Sequence, residues 1–434
     1  MTGLPAAAGV AGPPSLLSLT QIVEGGLCIG CGLCRSIAGA HKVDMVLTAE
    51  GRVRPLEREP LDPAALGRIN AVCPGTHVPG ADARDQSPQA LRDTVWGSAE
   101  HLAIGFAADP TVRHRGSSAG VLSALGQFLV ASGRVNFVLH VSASRREPMR
   151  TEARLSFDSA SVLEGAGSRY GPAAPLVDFT ALLDREEPFA LIAKPCDIGA
   201  VRRWARVDAR VERYLRYALT FVCGGASDLS KSEDVARKFG VHERELALFR
   251  YRGYGNPGLT RLETHDGRCF EMTYQEMWED EATWGIQPRC KICPDSIGES
   301  ADIAACDVWP GGGPTGESEG LNGLIVRTIR GLDLYRAAIA AGALVETRGT
   351  SFRELDEFQP HQVRKKRAVW ARLAGMRAAG FAVPEAQELR LPECARLNTV
   401  GENLSEARGA KRRARAGTLG EPPAAARTDA AGGR

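Results

Sequence analysis

Residues 28–34 read CIGCGLC, and this stretch decides the first module of the fold. Three thiolates spaced two residues apart wrap around an iron-sulfur cube, and Cys73, followed by Pro74, can supply a fourth ligand from a distance. A structural zinc site is the alternative, but such sites usually pair two ligands, skip a long stretch and pair two more. The unbroken triplet of Cys28, Cys31 and Cys34 favours a 4Fe-4S cluster. Gly30 and Gly32 interleave with the thiols, let the backbone turn tightly and aim its N–H groups at sulfur. The commonest bacterial ferredoxin run places a Cys-Pro four residues after the third cysteine. Here that position is Ala38, which leaves Cys73 as the candidate.

Outward from this module, residues 81–100 read as a connector, and from His101 the pattern changes. Apolar runs LAIGFAA (102–108), VNFVLHVS (135–142), ARLSF (153–157), FALIAK (189–194) and YALTFV (217–222) alternate with helical segments, one of them from about Ser118 to Ser132. Short β-rich runs separated by helices predict an α/β (α+β) core. GLTRLETHDGRCFEMTY (258–274) reads as a hairpin turning at Asp266-Gly267, and residues 321–347 add a strand, a helix and a strand. The expected organisation is a flexible leader (1–19), a ferredoxin-like iron-sulfur module (20–80), the α/β core (101–350), a helical extension (351–392) and a disordered basic tail (393–434).

The core carries a second cysteine set: Cys196 in KPCD (194–197), Cys223 in FVCGG (221–225), and Cys290 with Cys293 in RCKICPD (289–295). Strand ends on one edge of a sheet converge although distant in sequence, so these four can form a second 4Fe-4S site. Buried free thiols would explain Cys196 and Cys223 equally well; the Cys290-x2-Cys293 spacing is harder to explain by packing. Cys269, Cys306 and Cys394 have no partners in spacing.

The segment RHRGSSAGVLSALGQFL (113–129) reads as a strand, a Gly/Ser loop and a helix. Gly116, Ser117 and Ser118 at the helix start offer N–H groups and hydroxyls to a phosphate, with Arg115 to neutralise charge; a plain capped helix has the same appearance. GAGSRYG (165–171) groups Ser168, Arg169 and Tyr170, and YRGYGNPG (251–258) carries Arg252; both are candidate ligand loops or simply turns. Lys194 ends an apolar strand beside Cys196, where a cation can stabilise a reduced flavin or a cluster, or can simply snorkel. The basic run 364–367 and KRRAR (411–415) suit either a solvated helix face or the docking of an acidic partner.

Composition narrows the classes. The 434 residues suffice for two or three domains, with 44% hydrophobic and 24% charged residues and a formal net charge of +2, so no basic field points to nucleic acid. Residues 1–15 carry no Lys or Arg and do not resemble a signal peptide. The longest apolar stretch, Val121 to Ala131, is too short for a membrane span. Eleven cysteines in so large a chain point to metal ligands in a reducing, cytoplasmic setting. None of the 8 histidines stands in a recognisable catalytic context.

The order of CIGCGLC, CP, RGSSAGVLSAL, AGSRYG, KPCDIGAVR, FVCGG, YRGYGNPG and RCKICPDSIGESADIAACDVWPGG resembles the beta subunit family of coenzyme F420 hydrogenases and dehydrogenases, over roughly residues 20–350. That family also looks like the home of ferredoxin-dependent chlorophyll-pathway reductases. The resemblance implies FAD held by the Gly/Ser helix start and the Ser168-Arg169-Tyr170 loop, and a second cluster on Cys196, Cys223, Cys290 and Cys293. It implies an oxidoreductase that passes electrons between ferredoxin, or a partner subunit, and an organic ring substrate. A deazaflavin (coenzyme F420) dehydrogenase and a non-catalytic electron-wiring subunit are the two rival readings.

Overall fold

A computed structural model describes residues 16–427; residues 1–15 and 428–434, and with them most of the expected leader and the end of the expected tail, lie outside it. The core is an eight-stranded mixed sheet. Its strands run in the order Leu344–Gly349, His101–Ala107, Asn322–Val326, Ile303–Asp307, Leu215–Phe221, Phe189–Ile192, Phe137–Ala143 and Thr151–Ser156. The four strands from Ile303–Asp307 to Phe137–Ala143 pair in parallel, and every other pairing is antiparallel.

Alternation along these strands feeds two apolar layers. Val138, Ala190, Leu219 and Ile303 pack under the helices Val121–Ala131 and Ile329–Ala340. Phe137, Leu139, Phe189, Leu191 and Ala218 pack on the other face under the helix Pro195–Trp204. The expected hairpin forms as Thr260–Thr264 against Cys269–Met272, joined on its other side by Leu246–Arg250. The connector region is structured: Leu91–Asp93 pairs with Gly97–Ala99, and the Trp96 indole between them is buried and donates to Asp356.

The helix expected from Ser118 begins instead at Val121. The Ala119 carbonyl accepts from Ala107 N–H, which ties the loop to the strand His101–Ala107. Gly120 then turns into the helix at φ 71°, a conformation that favours glycine. Arg113 to Arg115 belong to the last turn of a short helix, Pro110–Arg115, rather than to a strand.

The N-terminal module comprises the helices Leu19–Glu24, Leu33–Ala38 and Pro63–Val72 with the hairpin Val43–Leu47/Val53–Glu57. Gly30 and Gly32 take φ of 72° and 87°, as the cysteine loop requires. The module is tied to the extension by the parallel pair His77–Pro79 and Glu385–Gln387.

The expectation of a disordered tail is corrected by the structure over residues 393–427. Residues 393–427 are ordered, with a helix at Val400–Arg415 opened by a Thr399/Glu402 capping box. Ala410, Ala414 and Leu419 join Ile22, Leu27, Val369 and Leu373 in one apolar cluster, so tail, extension and N-terminal module share a core. The segment after the helix places Glu421 against Arg54 in a two-pronged ion pair, 2.7 and 2.8 Å, with the side chains 3% and 1% exposed. The basic run is corrected too: Lys366 is buried, 2.6 Å from Glu299. Removing one partner of a buried pair leaves the other charge uncompensated, at a cost of about 3–5 kcal/mol. Glu421→Ala is therefore expected to lower unfolding stability by about that amount in a denaturant titration, whereas a solvated tail would give an unchanged curve.

Candidate functional site

The parallel strands end on one edge of the sheet, and the chain leaves each end toward the same region. Lys194 and Cys196 follow Phe189–Ile192, Cys223 follows Leu215–Phe221, and Trp309 follows Ile303–Asp307. Crevices outside the carboxyl ends of such strands are where α/β folds bind ligands. Three cavities meet there.

The first is small and apolar and is lined by Cys28, Cys31, Cys34 and Cys73, with Leu19, Ile22, Ile37 and Ile69 around them. Gly30 N–H donates to Cys28 Sγ and Gly75 N–H to Cys73 Sγ, each at 3.3 Å. Burial pushes the Cys31 and Cys34 thiols well above their ordinary range and Cys73 up to about 11, with neighbouring cysteines adding to each rise. Four thiols in so apolar a cavity can ionise together only around a compensating positive centre.

The second cavity is lined by Cys196, Cys223, Cys290 and Cys293, so the expected second set converges. Ala226 N–H donates to Cys290 Sγ at 3.4 Å, and burial followed by Cys290 pushes Cys223 up to about 12. Ile29, between the first two cysteines of the N-terminal run, lines both small cavities. Among the described residues, no group of three or more His, Cys, Asp or Glu side chains could hold a metal ion.

The third cavity is larger, about 310 Å³, and shares Lys194, Cys223, Gly225 and Ala226 with the second. Gly116, Ser117, Ser118, Ser168, Arg169, Tyr170, Lys194 and Arg252 all line it. Arg115 does not: its guanidinium lies over the Tyr254 ring. Arg169 donates to the carbonyls of Pro148, Met149, Arg150 and Phe249, and so holds the wall together. Ser118 Oγ donates to Leu321 O, whereas Ser117 Oγ is buried without a hydrogen-bond partner. Lys194 lies 2.8 Å from Asp197; burial opposes its charge, but Asp197 and the cysteines outweigh it and keep the ammonium protonated.

Sequence reasoning missed Asp307, Trp309 and Tyr274 on this wall. Arg252 pairs with Asp307 at 3.2 Å, and its guanidinium lies 4.7 Å from the Trp309 ring centre and 5.2 Å from that of Tyr274. The signal available was the quoted segment ending in Asp307-Val308-Trp309, which follows a strand as Cys223 does. His140 was missed as well. It lines the cavity, its Nε2 2.8 Å from Ser156 Oγ and its Nδ1 3.2 Å from Val141 O.

Two adjacent family models match the chain. Residues 103–180 match the N-terminal part of the coenzyme F420 hydrogenase/dehydrogenase beta subunit, and residues 187–351 match its C-terminal part. Among solved structures, a chain of the xenon-derivatised F420-reducing [NiFe] hydrogenase complex from Methanosarcina barkeri is similar in fold. Its TM-score is 0.50 at 15% identity, covering 64% of this chain and 93% of that one. No curated protein matches. Among the described residues no helix is long and apolar enough to cross a membrane.

Burial pushes the His140 imidazole down from 6.5 to about 4, and nearby Arg154 contributes in the same direction. The unfolded chain therefore binds this proton more readily. Its contribution to stability is complete above about pH 6.5 and is lost as pH falls toward 4. Wild-type unfolding free energy is expected to decline across that window, and His140→Asn to flatten the slope by about one proton. Equal slopes in the two proteins would show that His140 titrates normally.

Proposed function

Because the chain belongs to the coenzyme F420 hydrogenase/dehydrogenase beta subunit family, whose members serve redox enzyme complexes, we propose that it is an iron-sulfur flavoprotein oxidoreductase. In this reading it passes electrons between a one-electron partner, ferredoxin or a companion subunit, and an organic ring substrate. The observation that carries the reading is the contiguity of the three cavities: eight cysteines in two sets of four, linked by Ile29, with the second set sharing a wall with the large cavity.

The donor sets fit the groups. Two sets of four cysteines match 4Fe-4S ligation, and inward N–H groups at Cys28, Cys73 and Cys290 supply the hydrogen bonds that cluster sulfurs accept. A cubane spreads its cysteine sulfurs more widely than one metal ion does, so cavities unsuited to a single ion can still suit it. For FAD, the helix start at Val121 and the unpartnered Ser117 hydroxyl suit a pyrophosphate. When bound, the clusters supply one-electron transfer and the flavin couples it to two-electron chemistry on an organic acceptor.

The chain's own residues do the rest. Lys194 holds a fixed positive charge where the large cavity meets the second cysteine set. Arg252, paired with Asp307, and the rings of Tyr274 and Trp309 form a polar and aromatic wall suited to a planar ring. The acceptor in the family's name, coenzyme F420, is a deazaflavin and meets that requirement. It is the first ring substrate to test.

Anaerobic reconstitution is expected to give about eight irons and one FAD per chain and reduction of coenzyme F420 by a low-potential one-electron donor. Cys31→Ser should remove one cluster signal and leave FAD bound, and Cys293→Ser should remove the other. Four irons in the wild type would eliminate the second cluster; bound zinc without iron would overturn the whole reading. Ser117→Asp separates a phosphate cradle from a capped helix. A carboxylate there repels a pyrophosphate in a site of low dielectric, yet at an ordinary helix start it is neutral or stabilising by about 0.3–1 kcal/mol. Loss of FAD from this variant is expected; full occupancy with unchanged thermal stability would place FAD elsewhere.

A further inference from the structure

The helix Pro360–Arg377 lies beyond residue 351, where the family match ends, yet its side chains reach the second four-cysteine cavity and its surroundings. Gln362 Nε2 donates to Cys223 O at 3.0 Å, and its Oε1 accepts from Ser296 Oγ at 2.7 Å. Lys366 Nζ donates to Pro294 O at 2.8 Å, next to Cys293. These bonds fix two cysteine-bearing segments against one helix. Lys365, next to Lys366 on the helix, is different: it lines the second cavity itself and makes no ion pair or hydrogen bond among the described residues.

The other charges at that cavity are already engaged. Lys194 is paired with Asp197. Asp295 accepts the N–H groups of Ile297, Gly298 and Glu299 and faces Lys366 and Arg327. Arg289 donates to Pro74 O and Ile292 O and lines the second cavity, and its charge also acts on Cys73 of the first set. At the first cavity the charge of Arg54 faces Cys28, and Glu421 neutralises it from the C-terminal segment. Lys365 is thus the charged side chain lining the second cavity that has no bonded partner among the described residues. A cluster gains negative charge on reduction, so a fixed cation beside it favours its reduced form.

We propose that Lys365 is a tuning residue, a side chain from the C-terminal extension that raises the reduction potential of the second cluster. The proposal rests on the reading of both cysteine sets as clusters.

The test is a redox titration of the full chain, reconstituted anaerobically and followed by electron paramagnetic resonance, in a Cys31→Ser background that leaves the second signal alone. Lys365→Met keeps the length of the side chain and removes its charge. It is expected to lower the midpoint of the second cluster by at least about 59 mV, a tenfold change in a one-electron equilibrium, with iron content unchanged. Lys365→Arg is expected to restore the wild-type value, and Lys411→Met, on the helix Val400–Arg415, to leave it in place. An unchanged midpoint in Lys365→Met at full iron content would overturn the role of Lys365. So would loss of the second cluster from the Met and Arg variants alike, which would make the side chain structural. Absence of a second cluster from the protein with native Lys365 would instead remove the functional reading on which the inference stands.

Discussion

The parallel pairing of Leu215–Phe221 with Phe189–Ile192 on one side and Ile303–Asp307 on the other is the constraint on which the site depends. Parallel neighbours end on the same edge, so the residues that leave those ends must share one crevice. That register places Lys194 and Cys196, Cys223, and Asp307 with Trp309 around a common space although they are scattered over more than a hundred positions. An antiparallel centre would send alternate ends to opposite edges and separate them. The flanking strands are antiparallel and supply no cysteine, although Thr151 and Asn322 on them line the large cavity.

The second requirement is that the N-terminal module seat firmly on this edge. Leu176 N–H donates to Cys31 O at 2.9 Å, and a side chain at Gly32 would meet the Val177 backbone at 2.9 Å, so the cysteine loop approaches the core as closely as glycine allows. Arg289 ties Pro74 to the Cys290–Cys293 segment from inside. The tail completes the closure by bringing Glu421 to Arg54. These backbone approaches and buried charges add to an apolar seam in which Leu33 and Val72 of the module pack with Leu176, Phe179, Ile198 and Val201 of the core. The buried charges are costly to desolvate but specific in geometry, which suits two modules whose cavities must adjoin.

The parts legible in the sequence were those encoded by local spacing. The cysteine run, the strand periods and the Asp266-Gly267 hairpin each declare themselves within a dozen residues, and each is found where expected. The meeting of Cys196 and Cys223 with Cys290 and Cys293 needed the sheet register, which periodicity alone does not supply. The start of the Val121 helix was misplaced because Ser117 and Ser118 resemble caps, whereas the strand His101–Ala107 holds Ala119 outside the helix through a backbone bond that no local rule encodes. The C-terminal segment was misjudged because its composition is Ala, Arg and Gly. Its order comes from small residues: Ala410 and Ala414 let the helix approach Pro360–Arg377 closely, and a side chain at Gly375 would overlap Ala407 O.

The basic run 364–367 shows why a charge cluster on a helix cannot be read as a surface. Successive residues point about 100° apart, so four in a row sweep nearly the whole circumference. When the helix is packed on more than one side, at least one of them must face inward. Arg364 is exposed, Lys365 and Arg367 are half-buried, and Lys366 is enclosed. A lysine turned inward needs a carboxylate, a ring of carbonyls or a negatively charged centre. Lys366 has the first, in Glu299, together with the single carbonyl of Pro294. Lys365 has neither among the described residues, and the wall it occupies belongs to four thiols. The cation and the cysteines are therefore complementary halves of one electrostatic arrangement, supplied by segments about seventy or more residues apart.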